Sequence, residues 1–185
     1  KELAERQARE GNEVYVFTSD WDKNKRIKIG KEIINGVVVI RHKHFLRVGN
    51  FESLWPQFIY GLIKGKFDLI HSHVFGHFHS VLAAIGAKLS SSKHIHTTHC
   101  PWSDAYRSTI SRMGLLISYN LASRFSLKLT DKIILITPWE KEFIKKYGAK
   151  EKQIVNLPNG MSKDFFKKIK NNNFKDKYKI KNKIV

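Results

Sequence analysis

Residues 67–73, FDLIHSH, and residues 94–99, HIHTTH, decide the predicted fold and mark the predicted site. Each stretch contains the apolar and β-branched residues of a strand, and each ends in polar residues that include histidine. In an open α/β sheet, ligands bind at the carboxyl ends of the strands. We therefore expect both histidine clusters to lie at a ligand-binding edge.

On either side of these strands, apolar runs alternate with helical patterns, which is typical of βαβ units around a largely parallel sheet. The pattern predicts strands over residues 13–19, 37–41, 67–73, 94–99, 132–137 and 153–157. It predicts helices over residues 1–10, 51–65, 79–89, 108–129 and 139–147. The sequence therefore predicts an α/β fold with helices flanking the sheet.

Composition narrows the class of protein. The 185 residues, 42% of them hydrophobic, are enough for one core and a short appendage. Cys100 is the only cysteine, and no run of eighteen apolar residues occurs, so we expect a reducing, cytoplasmic setting. The net charge of +18 favours polyanionic partners such as a phosphate-bearing lipid, an anionic membrane surface or nucleic acid.

The charge is concentrated at the end of the chain. Residues 163–185 contain nine Lys and two Asp, a net charge of +7, around Asn171, Asn172 and Asn173. Such a composition is typical of a solvated linker rather than a binding surface. The chain also opens inside a helical pattern and closes on a new apolar run, so we expect it to start and stop within domains.

Five segments, in this order and at these spacings, resemble glycosyltransferase family 4. They are ELAERQAREGNEVYVFTS (2–19), FDLIHSH (67–73), HIHTTH (94–99), LTDKIILITPWEKEFIKKYG (129–148) and KEKQIVNLPNGMSKDFF (150–166). The resemblance implies the GT-B fold, in which two Rossmann-like domains face each other across a cleft. It places the acceptor mostly on the first domain and the nucleotide sugar mostly on the second.

The resemblance also implies a domain division and a reaction. Residues 1–162 correspond to the acceptor-side, Rossmann-like domain without its first strand, and residues 163–185 to a basic linker and the start of a donor-binding domain. The implied reaction moves a hexose from a nucleotide sugar to a lipid, polysaccharide or glycan acceptor, with retention and without a cofactor. We expect the chain alone to be inactive, because the residues that hold the nucleotide diphosphate lie in the second domain.

His99 is the residue that the resemblance marks as catalytic, since it matches the family position where a histidine enters the cleft. In a retaining transfer, an oxocarbenium-like centre forms beside a leaving diphosphate. A neutral or cationic imidazole there would hydrogen-bond the sugar or stabilise the phosphate. The structural alternative is a strand-end histidine that hydrogen-bonds the backbone.

Six further residues are expected to bind substrate: His73, Gly76, Thr98, Thr137, Asn159 and Gly160. His71 and His73 share a strand face, and only His73 is near enough to the carboxyl end to reach the cleft, which leaves His71 as a packing residue. Gly76 and the start of the next helix would offer amide groups to an anion.

Thr137 matches a family position that lines the cleft, although a helix N-cap is an equal alternative. Asn159-Gly160 is a turn composition that also redirects the chain. Beyond this pair the sequence departs from the family pattern, because Ser162 replaces the usual acidic residue and Asp164 follows it.

The same residues and the same charge allow other interpretations. A metal site could be built from His71, His73, His94, His96, His99 and Cys100, although these spacings match no tight zinc signature. Nucleic-acid binding lacks a recognition helix or an aromatic motif, so we expect no nucleic-acid partner. Membrane contact through residues 51–55 and 113–119 is compatible with the charge, as is a noncatalytic module that binds an acceptor lipid or an anionic membrane.

Overall fold

The computed structural model describes residues 1–22, 25–48, 52–99 and 109–161, together with Phe166, Tyr178 and Lys179. The strands are β1 Tyr15–Ser19, β2 Trp21–Asp22, β3 Lys25–Arg26, β4 Gly30–Ile34, β5 Val37–His42, β6 Leu46–Val48, β7 Glu52–Leu54, β8 Leu69–His73, β9 Lys93–Thr97, β10 Lys132–Leu135 and β11 Ile154–Asn156. The helices are α1 Glu2–Arg9, α2 Phe58–Gly65, α3 Phe78–Ser90, α4 Thr109–Ser118, α5 Arg124–Leu129 and α6 Glu140–Lys146, with a π-helical segment at Tyr119–Ser123 and a 3-10 turn at Glu151–Gln153.

The predicted α/β fold is confirmed. A four-stranded sheet of order β11-β10-β9-β8 is parallel throughout. A second sheet has the order β1-β5-β4, with β1 parallel to β5 and β4 antiparallel to β5. Two small antiparallel hairpins, β2-β3 and β6-β7, complete the strand pairing of the described residues.

The predicted helix over residues 51–65 is wrong in its first half. Glu52–Leu54 forms β7, which pairs with β6, and helix α2 begins only at Phe58. Pro56 lacks an N–H and disfavours helical geometry at the residue before it, so the helix begins beyond it. Trp55 enters the core between the two elements. Residue 51 lies outside the described residues.

Helix α4, the π-helical segment and α5 occupy the single long helix expected over residues 108–129, apart from Ser108, which is not among the described residues. The π-helical segment places Tyr119 against Phe75, with ring centroids 5.2 Å apart. Within the described part of the chain, no helix has the length and apolar content needed to cross a bilayer.

The four-stranded sheet buries one of its faces. Ile70, Ser72, His94, His96, Ile133 and Leu135 alternate along β8, β9 and β10 and are all buried. One core cluster joins Ile133 and Leu135 to Phe75, Tyr119 and Leu127. Another joins Ile70 to side chains from α2 and α3. The opposite face, which carries His71 and His73, is only half-buried.

A stack of aromatic rings connects the carboxyl ends of the two sheets. His42, the last residue of β5, stacks between Phe17 and Trp55, with ring centroids 6.0 and 6.1 Å away. Trp55 in turn stacks on His79 at 6.1 Å. The stack therefore brings the end of β5 next to the first turn of α3, which follows the β8 loop.

Candidate functional site

The carboxyl edge of the four-stranded sheet carries the residues that the sequence singles out. His73 ends β8 and lies beside Thr97, which ends β9. His99 follows two residues later, Thr137 follows β10, and Asn159 follows β11. The placement of both histidine clusters at strand ends is confirmed, although the second strand ends at Thr97 rather than at residue 99.

His73 and His99 form a directly hydrogen-bonded pair. His73 Nδ1 lies 2.9 Å from His99 Nε2, and the ring centroids are 5.2 Å apart. His99 adopts a left-handed backbone conformation, with φ of 57°, which turns the chain at the strand end. His71 packs against His73, with the two ring centroids 4.2 Å apart. Its Nε2 is hydrogen-bonded to Thr97 Oγ1 at 2.8 Å.

The surroundings of the pair favour neutral rings, because they lower the pKa of both histidines. Burial, together with the neighbouring histidines, lowers the pKa of His73 to about 3 and that of His71 to about 4. Partial desolvation also lowers the pKa of His99, although the residue is exposed, and the Glu140 carboxylate opposes that change only partly. In a neutral pair one ring donates its N–H to the other, which leaves His73 Nε2 and His99 Nδ1 for a ligand.

The loop after β8 holds His73 firmly in place. The His73 carbonyl accepts hydrogen bonds from Ser80 Oγ at 2.9 Å and from His79 Nε2 at 3.0 Å. Val74 N donates to the Thr97 carbonyl at 2.9 Å, and Phe75 N donates to the Thr98 carbonyl at 3.2 Å. Val74 has a φ of 68°, which is strained for a β-branched residue and persists because these hydrogen bonds fix it.

Gly76 shapes the same loop. Its φ is 90°, and a Cβ at this position would lie 2.1 Å from Tyr119 Cε1. Ser118 Oγ donates a hydrogen bond to the Gly76 carbonyl. A larger residue would therefore displace Tyr119, so Gly76 determines how the loop packs on the π-helical segment. Contact between Gly76 and an acceptor remains a prediction.

Glu140 is a fully buried carboxylate that the sequence analysis did not identify. It accepts hydrogen bonds from Thr98 Oγ1, from Ile136 N at 2.9 Å and from Thr137 N at 3.1 Å. It thereby ties the end of β9 to the end of β10. The signal was present, because Thr137 and Glu140 have the spacing of a capping box, in which the acidic side chain reaches back to the start of the helix.

Thr98 and Thr137 both donate hydrogen bonds to this carboxylate. Thr98 is fully buried and its hydroxyl donates to Glu140, and its contact with substrate stays a prediction. Thr137 donates its N–H to Glu140 Oε1, and its hydroxyl lies 3.4 Å from the same oxygen, whereas the N-cap of α6 is Trp139 and has no side-chain capping hydrogen bond. Lining of the cleft by Thr137 stays a prediction.

Asn159 and Gly160 are exposed and follow the strand farthest from His73 in the sheet. The structure does not bring them to the histidine pair, since β10 and β9 lie between β11 and β8. Their role toward substrate remains a prediction. Cys100, Ser162 and Asp164 lie outside the described residues.

His94 and His96 lie on the buried face of the sheet, opposite His71 and His73. Thr130 Oγ1 donates to the Ser126 carbonyl, so His94 Nδ1 must donate to Thr130 Oγ1, 3.0 Å away. Ser72 Oγ then donates to His94 Nε2 and accepts from His96 Nδ1. This order leaves His96 Nε2 as a buried acceptor without a partner.

The division between two faces argues against one ion bound by all these histidines. Side chains on opposite faces of a strand point apart, so the two groups do not converge on one point. In the described ranges, no three His, Cys, Asp or Glu side chains form a group that could hold a metal ion.

The buried histidine network predicts acid sensitivity of the fold. Burial lowers the pKa of His94 to about 4, below the ordinary 6.5, so the unfolded chain binds more protons between these values. Stability is complete above pH 6.5 and falls as the pH drops toward 4, by on the order of 3 kcal/mol for His94 alone. Urea unfolding across this range measures the slope.

The His94→Asn variant should show a flatter pH dependence, and His77→Asn, outside the buried network, should keep the parent slope. Equal slopes for the parent and His94→Asn would contradict the attribution of the acid sensitivity to His94.

A second buried cluster follows β1 and was also missed. Asp20 Oδ1 accepts hydrogen bonds from His44 N at 2.9 Å and from His44 Nδ1 at 2.6 Å, and Arg26 Nη1 donates to Asp20 Oδ2 at 3.2 Å. Burial alone would raise the pKa of Asp20, but the His44 and Arg26 contacts outweigh it and lower that pKa. The cluster fixes the β2-β3 hairpin at the carboxyl end of the three-stranded sheet.

Comparison with known proteins assigns the chain to a family. The family model Glycosyltransferase Family 4 matches residues 1–165, which is most of the chain. The chain belongs to glycosyltransferase family 4. The general chemistry of this family 4 chain is therefore glycosyl transfer, and the resemblance drawn from the sequence is confirmed.

A solved structure of sucrose-phosphate synthase from Thermosynechococcus elongatus is 19% identical to this family 4 chain, with a TM-score of 0.47, over 89% of this chain and 85% of that one. A search of curated proteins returned no match.

Proposed function

We propose that this chain is the acceptor-side part of an enzyme that transfers a hexose from a nucleotide sugar to a lipid, polysaccharide or glycan acceptor, with retention of configuration. The observation that supports the proposal most strongly is the hydrogen-bonded His73–His99 pair at the carboxyl edge of the parallel sheet. Sheet edges of this kind are where α/β proteins bind ligands.

The neutral state of the pair defines its proposed role. An imidazole whose pKa lies below 6.5 brings no positive charge to a leaving diphosphate at neutral pH. It can instead donate to or accept from a sugar hydroxyl through His99 Nδ1 or His73 Nε2. We propose that His99 holds the transferred sugar in this way, and that His73 fixes the tautomer and orientation of His99.

The other parts of the proposal follow from the family and the charge. A second domain would bind the nucleotide sugar, so the chain alone would not catalyse transfer, and no cofactor or metal would take part. The partners would be the nucleotide sugar, a lipid or glycan acceptor and an anionic membrane surface, without nucleic acid. The proposed location is cytoplasmic, peripheral on the inner face of the cell membrane.

Donor-dependent transfer by the enzyme that carries this chain tests the proposal, with a panel of nucleotide hexoses and with the anomeric configuration of the product read by NMR. We expect no loss of kcat/KM centred at 6.5, the ordinary pKa of histidine, because burial lowers the pKa of both His73 and His99. A loss of activity centred near pH 6.5 that disappears in His99→Gln would contradict a neutral pair. No transfer from any nucleotide hexose would contradict the enzyme assignment.

The alternative is a noncatalytic module that binds an acceptor lipid or an anionic membrane. The net charge of +18 is the observation that favours it. Retention of lipid binding with no transfer by the complete protein would select this alternative.

A further inference from the structure

Trp139 presents a large aromatic ring to solvent at the carboxyl edge of the four-stranded sheet. It lies in the turn after β10, immediately before Glu140, the first residue of α6. The residue is 51% exposed, although tryptophan side chains are mostly buried in folded proteins. Because ligands bind at this edge of an α/β sheet, an uncovered ring here is a candidate for ligand contact.

Phe143 fixes the orientation of this ring. The two ring centroids lie 5.3 Å apart in an edge-to-face arrangement, with 84° between the ring planes. Phe143 is four positions further along the chain, so the two side chains are neighbours on one side of α6. An edge-to-face contact covers at most one face of either ring. Phe143 therefore leaves at least one face of the indole open.

The residue after Trp139 connects it to the histidine pair. The Glu140 carboxylate accepts a hydrogen bond from Thr98 Oγ1, and Thr98 immediately precedes His99. The same carboxylate acts electrostatically on His99 and opposes the lowering of its pKa, so the two groups are close in space. Glu140 also binds two backbone N–H groups just after β10. The turn that carries Trp139 is thereby fixed relative to His99.

A flat apolar face beside hydrogen-bonding nitrogens suits a sugar ring. A pyranose has C–H groups on its faces, which pack against an aromatic ring, and hydroxyl groups around its rim, which form hydrogen bonds. The indole of Trp139 offers the first kind of contact. His99 Nδ1 and His73 Nε2 offer the second. The ring and the histidine pair lie at the ends of neighbouring strands, which places two sugar-binding positions side by side.

We propose that Trp139 stacks on the pyranose ring of a saccharide acceptor, next to the transferred sugar that His99 holds. This inference rests on the proposed function and deepens it. Among lipid, polysaccharide and glycan acceptors, it selects those whose reacting end is a sugar ring. Binding of a free saccharide requires neither donor nor transfer, so it can be tested separately from the reaction.

An NMR titration of the isotope-labelled chain measures the binding directly. The probes are a panel of methyl hexopyranosides and disaccharides. The indole N–H signal of Trp139, identified by its loss in Trp139→Phe, should shift and saturate at millimolar sugar. The signal of the buried Trp55 should stay in place. No shift of the Trp139 signal with any of these sugars at about 50 mM would overturn the proposal.

Transfer kinetics of the enzyme that carries this chain give a second test. Trp139→Ala should raise KM for the acceptor at least about tenfold, which corresponds to ~1.4 kcal/mol, and should leave KM for the donor nearly unchanged. Trp139→Phe keeps a flat ring and should retain most of the acceptor affinity, whereas Trp139→Leu should not. Leu89→Ala is the matched control, because Leu89 is 63% exposed on a different helix.

Two kinetic results would overturn the proposal. A higher KM for the donor alone would show that the ring serves the donor. An unchanged KM for the acceptor, with a lower unfolding temperature, would show that the ring packs against another part of the protein. Sugar binding at Trp139 without transfer by the complete protein would support the stacking site and contradict only the enzyme assignment.

Discussion

Replacing His99 with alanine is expected to lower kcat/KM for sugar transfer by about 10²- to 10³-fold in the enzyme that carries this chain. The change removes His99 Nε2, which lies 2.9 Å from His73 Nδ1 at the carboxyl edge of the sheet. The His73 ring is then free to change tautomer. Because His99 is exposed at the end of β9, stability should change by less than about 1 kcal/mol. Steady-state kinetics and urea unfolding measure the two effects.

His99→Gln separates hydrogen bonding from ring shape, and we expect it to recover part of the lost rate because its amide can still donate or accept. His77→Ala replaces another histidine, the one just before helix α3, and should have much less effect. If His99→Ala transferred sugar at the parent rate while remaining folded, His99 would have no part in catalysis.

Replacing Glu140 with alanine should cost the fold about 3 to 5 kcal/mol of unfolding free energy. The change leaves the N–H groups of Ile136 and Thr137 and the hydroxyl of Thr98 without their buried acceptor. It also releases the end of β9 from the end of β10, so the position of His99 should loosen. Urea unfolding measures the first effect, and kcat measures the second.

Glu140→Gln keeps the size of the side chain and retains one acceptor oxygen for the backbone N–H groups. It should cost only about 1 kcal/mol, because the amide can donate to Thr98. Glu142→Ala is the matched control on the exposed side of the same helix and should have almost no effect. A Glu140→Ala variant as stable as Glu142→Ala would show that the buried carboxylate does not hold the two strand ends together.

Much of the four-stranded sheet could be predicted, because each of its strands is a short apolar run bounded by polar residues. The same local signals placed His73 and His99 at strand ends. Their hydrogen bond could not be predicted, since it depends on the register of β8 against β9 and on the left-handed turn at His99. Register is a property of the assembled sheet, so it does not follow from either segment alone.

Other features were present in the sequence and were missed. Asn35-Gly36 is a strong hairpin signal, and both residues have positive φ between β4 and β5, yet β4 was not predicted. Leu54 fits the helical period of Phe58 and Leu62, so the pattern predicts a helix there, whereas Pro56 marks where the helix can begin. Glu140 was passed over because its effect depends on partners from two strands.

A double-mutant cycle tests most directly whether the histidine pair acts as one unit in catalysis. It combines His73→Ala and His99→Ala and measures kcat/KM for sugar transfer. The cycle compares each single variant and the double variant with the parent, after folding and nucleotide binding have been checked. We expect each single change to cause most of the loss seen in the double variant, because either removes the shared hydrogen bond. A double variant that keeps transfer within about threefold of the parent rate would contradict the account.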